Sequence, residues 1–231
     1  PYTYEDMFHE PFTLFSYLAG LTETIGFMTG VLILPQRQTA LVAKQAAQVD
    51  VFSNGRMRLG VGIGWNEVEY KSLGYDFHTR GARVEEQIAI LRELWTQPLV
   101  SIEGEFDTID DAGINPLPRQ QPIPIWIGGT ADVVLQRAAR LGDGWMAQAG
   151  LPENIKPLAE KYWEAVEECG KTEMMGLHTR LITERVPESE WESYVHGWKE
   201  LGATELAVYP HGETLEEYLS RLQAFKDMFD V

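Results

Sequence analysis

Residues 26–66, GFMTGVLILPQRQTALVAKQAAQVDVFSNGRMRLGVGIGWN, decide the fold. Gly26 to Leu34 is an apolar, β-branched run too continuous for a half-exposed strand, so it reads as a strand buried on both faces. Pro35 ends it, because proline donates no hydrogen bond to a ladder. Thr39 is the expected N-cap of a helix whose stripe is Leu41, Val42, Gln45, Ala46, Val49 and Phe52. Gly55 stands where a left-handed helix end is wanted. A second buried run, Met57 to Ile63, follows. Two buried strands joined by a helix make a right-handed βαβ unit and therefore part of a parallel sheet.

The same alternation continues outward. Residues 1–10 read as a loop, and Pro11 opens a helix over residues 12–23 with Phe12, Phe15, Leu18, Ala19 and Thr22 on one side. After Trp65 comes a polar stretch of short helices and loop, then an amphipathic helix over Arg83–Trp95. Residues 98–122 break the pattern. They hold a small hairpin around Glu103–Gly104 and a proline-rich stretch, an insertion outside the main sheet. Strands are then expected at Pro124–Gly129, Asp143–Gln148, Leu177–Glu184 and Glu205–Tyr209. Helices are expected at Ala131–Leu141, Glu153–Cys169, Glu188–Leu201 and Thr214–Phe229. Some six strands, each with a helix after it, give an α/β fold over one domain, residues 1–231. A (β/α)₈ TIM barrel has eight strands in about 250 residues, so the reading is such a barrel with its first two strands absent from this sequence.

Composition excludes several partners. The 231 residues carry a formal net charge of −16, a field that repels nucleic-acid phosphates and anionic membranes. Any phosphate-bearing ligand must then be held by local backbone dipoles or single cations. Cys169 is the only cysteine, so neither an internal disulfide nor a multi-cysteine metal site can form. The histidines show no H-x-x-x-H spacing, and no metal is expected. There is no 18-residue apolar stretch and no signal-peptide pattern, which makes cytoplasmic the expected location.

Three stretches carry the site candidates. In PIPIWIGGTAD a buried strand runs into Gly128–Gly129 with Thr130 as the expected helix N-cap. Glycines let backbone amides approach a ligand, and a helix N-terminus favours an anion, which makes a phosphate cradle. A tight strand-to-helix turn with an ordinary cap fits those residues equally well. In LGVGIGWN, Gly60, Gly62 and Gly64 alternate at a strand end and would clear one face for a flat ligand; close packing is the alternative. In Thr29–Gly30–Val31, inside the first buried strand, the glycine marks a bulge or a close approach of another group; a small residue matching a bulky neighbour is the alternative. Arg37 and Arg80 could each reach a phosphate, although a solvated ion pair is the commoner state of a surface arginine. Glu67 and Glu69 read as complements to a helix dipole. No residue pattern points to a nucleophile elbow or a P-loop, and the catalytic residues stay unknown.

TGVLILPQR, AKQAAQVDVFSNGRMRLGVGIGWNEVE, GYDFHTRGARVEEQIAILRELW, the EGEF segment, PIPIWIGGTAD and RAARLGDGW together resemble the bacterial luciferase-like monooxygenase superfamily, over residues 11–148 and in order. That resemblance implies a (β/α)₈ barrel with a flavin at its C-terminal face. It places a cis-peptide bulge at Gly30–Val31 against the middle ring of the flavin. It puts the flavin phosphate at Gly128, Gly129 and Thr130, and Gly62, Ile63, Gly64, Trp65 and Asn66 beside the cofactor. The activity implied is that of a flavin-dependent oxidoreductase, a monooxygenase using reduced FMN and oxygen on a small organic substrate, with a flavin reductase as a possible electron source. The alternative is hydride transfer with deazaflavin (coenzyme F-420), and a third reading is a non-catalytic flavin-binding protein. A homodimer through residues 12–23 and 40–53 is also implied. The family's first two strands have no counterpart here. Ile63 stands where sugar-phosphate dehydrogenases of the deazaflavin branch carry a glutamate and luciferase an arginine, which argues against the first activity and leaves the cofactor open.

Overall fold

The structure is a computed structural model that describes residue 3, residues 5–172 and residues 175–230. Of the expected N-terminal loop, Pro1, Tyr2 and Tyr4 lie outside the described residues. The chain divides into two compact units, Pro1–Trp126 and Ile127–Val231.

The first unit holds α1 (Pro11–Ala19), β1 (Phe27–Met28), β2 (Leu32–Ile33), α2 (Thr39–Phe52), β3 (Met57–Gly62), α3 (Glu67–Ser72), α4 (Arg80–Thr96), β4 (Val100–Glu103) and β5 (Thr108–Ala112). Both β1 and β2 pair in parallel with β3. The expected Gly26–Leu34 strand is therefore split. Ile25, Gly26, Gly30 and Val31 are exposed, while Phe27, Thr29, Leu32 and Leu34 are buried. A short 3-10 turn, Leu34–Gln36, takes up Pro35 near its start, where a missing N–H costs nothing.

Helix α2 starts one residue earlier than expected, with Thr39 as its first residue rather than its cap. Gln38 occupies the N-cap position without a side-chain bond. Thr39 instead turns inward, its hydroxyl donating to Asp107 at 2.6 Å and accepting from Gln87 at 3.0 Å. The buried face is built on small residues, Ala43, Ala46 and Ala47, with Val42, Val49 and Asp50. Leu41 and Phe52, expected inside, are 51% and 56% exposed. The stripe was misplaced because alanines let α2 pack closely on α4, where the Trp95 indole donates to the Ala43 carbonyl at 3.0 Å.

The insertion is an antiparallel β4–β5 hairpin, as expected. One carboxylate pins its tip: Glu86 accepts the backbone N–H groups of Glu105, Phe106 and Asp107 at 2.8–2.9 Å. A second pins its return, where the fully buried Asp50 accepts from the Arg119 and Gln120 amides and the Gln120 side chain. The Leu59 N–H donates to the Pro124 carbonyl, bringing the returning chain beside β3.

Strand β6 (Ile125–Gly128) leads into the second unit, which continues with α5 (Asp132–Leu141), β7 (Gly144–Met146), α6 (Pro152–Glu168), β8 (Gly176–Ile182), α7 (Trp191–Glu200), β9 (Glu205–Tyr209) and α8 (Leu215–Phe229). Strands β7, β8 and β9 pair in parallel in chain order. The core here is aromatic. Trp145, Tyr162, Trp191 and Trp198 are buried, and each polar tip finds a backbone carbonyl. These elements fall within a few residues of the expected ones, since each carries a strong helical or strand pattern between glycine or proline stops.

Candidate functional site

The first site feature lies where β1 gives way to β2. Met28 pairs with Arg58, and Leu32 pairs with Val61. Four steps along the first strand thus answer three along β3, so Thr29–Gly30–Val31 carry one extra residue, a β-bulge in a parallel pair. The Gly30–Val31 peptide is cis. Val31, in an otherwise buried strand, is 37% exposed. The Thr29 side chain stays inside, and its hydroxyl donates to the Gly60 carbonyl at 2.7 Å.

The glycines of β3 answer to that bulge. A Cβ placed on Gly62 would stand 2.7 Å from the Val31 Cγ2, and one on Gly64 2.9 Å from the Ile33 Cγ2. The face that the sequence reading left clear for a flat ligand is filled by Val31 and Ile33 from the neighbouring strand. What the glycines provide is a seat for Val31, which turns its other side to solvent. Gly30, Val31, Gly62, Ile63 and Gly64 are thereby brought together.

Beyond β3 the chain is held firmly. The Tyr70 hydroxyl donates to the Ile63 carbonyl at 2.6 Å. Burial pushes that phenol up to about 12, against the pull of Arg80 and Arg83, so it remains a donor at neutral pH. Asn66 caps α3, accepting from the Val68 N–H at 3.1 Å and donating to Glu69 at 3.0 Å. Both ends of its amide are engaged in the cap. Trp65, by contrast, is 65% exposed.

In the second unit, Gly128, Gly129 and Thr130 form the turn between β6 and α5, all half-buried. Gly129 has φ +137°, and a Cβ there would come within 3.0 Å of Val134. Its carbonyl accepts the Trp145 indole N–H at 2.8 Å. Ala131, rather than Thr130, is the N-cap, and no side chain caps the helix. The first-turn acid, Asp132, is paired with Lys161 at 2.8 Å. The start of α5 thus offers uncapped N–H groups beside a neutralised carboxylate, a setting an anion can use.

The charged candidates turn out to be engaged. Arg37 pairs with Glu10 at 3.0 Å. Burial raises the Glu10 carboxyl, but its bond from the Thr13 amide and the Arg37 charge outweigh that and hold it below the ordinary value. The Arg80 guanidinium lies 3.6 Å from the Phe77 ring centroid and donates to the Phe77 carbonyl. Arg83 lies over both Tyr75 and Phe106. Glu69 accepts from Gln36 as well as Asn66. Tyr70 was not singled out from sequence, and Thr29 only as a member of the stretch Thr29–Gly30–Val31, because a side-chain bond to a distant carbonyl leaves no local pattern.

With this geometry in place, comparison with known proteins decides the lineage. The family described as luciferase-like monooxygenase matches residues 1–226. The chain belongs to that family. An uncharacterized protein of Mycobacterium tuberculosis is 41% identical over 172 residues, 74% of this chain and 59% of that protein's length. The F420-dependent glucose-6-phosphate dehydrogenase of Amycolatopsis mediterranei is 30% identical over 225 residues, 93% of this chain and 66% of the other. Among solved structures, the monooxygenase RslO1 from Streptomyces bottropensis superposes with a TM-score of 0.78 at 18% identity, covering 94% of this chain and 81% of that one. The fold is therefore that of the luciferase-like barrels, of which this chain spans a part.

Proposed function

We propose that the chain is a flavin-dependent oxidoreductase, a luciferase-like monooxygenase that acts on a small organic substrate with FMN as cofactor. The observation that carries this reading is the bulge at Thr29–Val31. It displays Val31 at the C-terminal end of a parallel strand, where α/β folds place their ligands. The residues present fit a flat, largely apolar ring system: Val31 presents hydrocarbon, and Gly62 fixes how far it stands out. In the second unit, taken by itself, the uncapped amides after Gly129 fit an anion such as a phosphate, without adding positive charge to a strongly acidic protein.

When bound, reduced FMN supplies electrons to oxygen, whereas deazaflavin supplies hydride to a substrate without oxygen. The chain's own part is to hold and to shield. Val31 backs the ring. The Tyr70–Ile63 bond would fix the strand end beside it, and Trp65 is the side chain proposed to keep water from the ring edge. A separate flavin reductase would deliver the reduced cofactor.

The deazaflavin reading has its own support, the 30% identity over 93% of this chain to a relative named for coenzyme F-420. Ile63 weighs against glucose 6-phosphate as its substrate, by the resemblance set out above. Parallel equilibrium titration with FMN and with coenzyme F-420 separates the two. Micromolar FMN binding with weak deazaflavin binding supports the monooxygenase, and the reverse makes the protein a hydride-transfer enzyme. Binding of neither overturns both.

Self-association belongs to the same proposal. Tyr17 and Leu21 on and beyond α1, with Leu41 and Phe52 on α2, are large apolar side chains left exposed on the two helices. Leu41 and Phe52 lie eleven residues apart, three turns along one face of α2. A second copy of the chain is the proposed cover. No described helix is long and apolar enough to cross a membrane.

A further inference from the structure

The bulge has to be held, and its main-chain pairing cannot do that. Between Met28 and Leu32 no residue of this strand is paired with β3. Two side-chain features hold the gap instead. On one side, the Val31 side chain is seated on Gly62. On the other, Thr29 is 4% exposed, and its hydroxyl reaches the Gly60 carbonyl at 2.7 Å, deep within the sheet. That hydroxyl adds a side-chain donor to the sheet at the point where the pairing is interrupted.

We propose that Thr29 is the positioning residue of the cofactor seat: through the Gly60 carbonyl it sets where the bulge stands, and so how Val31 meets the ring. The proposal rests on the flavin reading above. Thr29 touches no ligand itself. A valine has the same shape but no donor, so Thr29→Val takes one buried donor from the Gly60 carbonyl and leaves the bulge free to settle elsewhere. Thr29→Ser keeps the donor.

The test compares wild type, Thr29→Val, Thr29→Ala and Thr29→Ser by two readouts. The first is amide hydrogen exchange over residues 28–33 in the cofactor-free protein. The second is the affinity and visible absorption band of bound FMN, or of coenzyme F-420 where that is the cofactor taken. The expected result is faster exchange across the bulge in Thr29→Val and Thr29→Ala. Both should bind cofactor about tenfold more weakly, as befits the loss of one buried hydrogen bond, and with a shifted band. Thr29→Ser should match wild type in both readouts. Should Thr29→Val not fold, Thr29→Ala carries the comparison. Wild-type binding with unchanged affinity and band in the hydroxyl-less variants overturns the role of Thr29 and leaves the flavin reading standing. A wild type that binds neither cofactor overturns both, whatever the exchange rates show.

Discussion

A single missing methyl group governs the most unusual stretch of this chain. Gly62 lies under Val31 so closely that a Cβ would sit 2.7 Å from the Val31 Cγ2. Valine is stiff at χ1 and cannot swing clear cheaply, so an alanine at 62 has to lift the bulge itself. Gly62→Ala is therefore expected to lower stability by about 1–3 kcal/mol, the usual range for overpacking, and to weaken cofactor binding beyond that. Denaturant unfolding and a cofactor titration on the same variant check the two effects. The sequence marked this glycine as one that needed a reason and offered two, room for a flat ligand or close packing, and the structure shows the second in Val31. Alternating glycines announce that something comes close; only the neighbouring strand shows that the visitor is Val31 rather than a ligand. Thr130 and Asn66 show a similar limit. Both were read as lying at the cofactor, and the structure adds that Asn66 spends its amide on capping α3 while the α5 cap falls to Ala131.

At the scale of elements, the insertion depends on two carboxylates, the buried Asp50 and the half-buried Glu86. Asp50 is fully buried on α2, and its carboxylate accepts three N–H groups from Arg119 and Gln120. Asp50→Ala leaves those donors unpaired and is expected to lower stability by about 3 kcal/mol. Asp50→Asn keeps one acceptor and should lose less than half as much, as urea unfolding of the two variants would show. Helices and strands of this protein were largely legible from their periodicity, because α4, β7 and β8 bury what their patterns say they bury. The insertion was legible only as an interruption. Its anchors, Asp50 and Glu86, sit on helices where an acid normally faces water, and 69 residues separate Asp50 from Arg119. The α2 stripe failed for a related reason. Alanine carries little hydrophobic signal, yet Ala43, Ala46 and Ala47 are what permit the close packing, and they turn Leu41 and Phe52 outward.

At the scale of the whole molecule, those outward side chains bear on assembly. If a second copy covers them, a charge in that face should abolish it. Phe52→Glu is expected to sediment as a monomer at micromolar concentrations where the unaltered protein sediments as a dimer, with the folded baseline in circular dichroism unchanged. A wild type already monomeric there removes the dimer proposal.

The bulge also changes how the strand should be read as a code of inside and outside. Before it, the odd position Phe27 is buried and Met28 is half-open; after it, the even positions Leu32 and Leu34 are buried and Ile33 is half-open. The extra residue is a phase shift, and it returns Leu32 to the partner, Val61, that an uninterrupted ladder one residue shorter would have given it. Deleting Gly30 should then leave the flanking pairs intact and the core filled, while Val31 loses its display. The expected product is a protein that melts cooperatively near the parent's temperature and no longer binds the cofactor. One residue, dispensable to folding, would be the whole difference between a plain parallel strand and a binding surface.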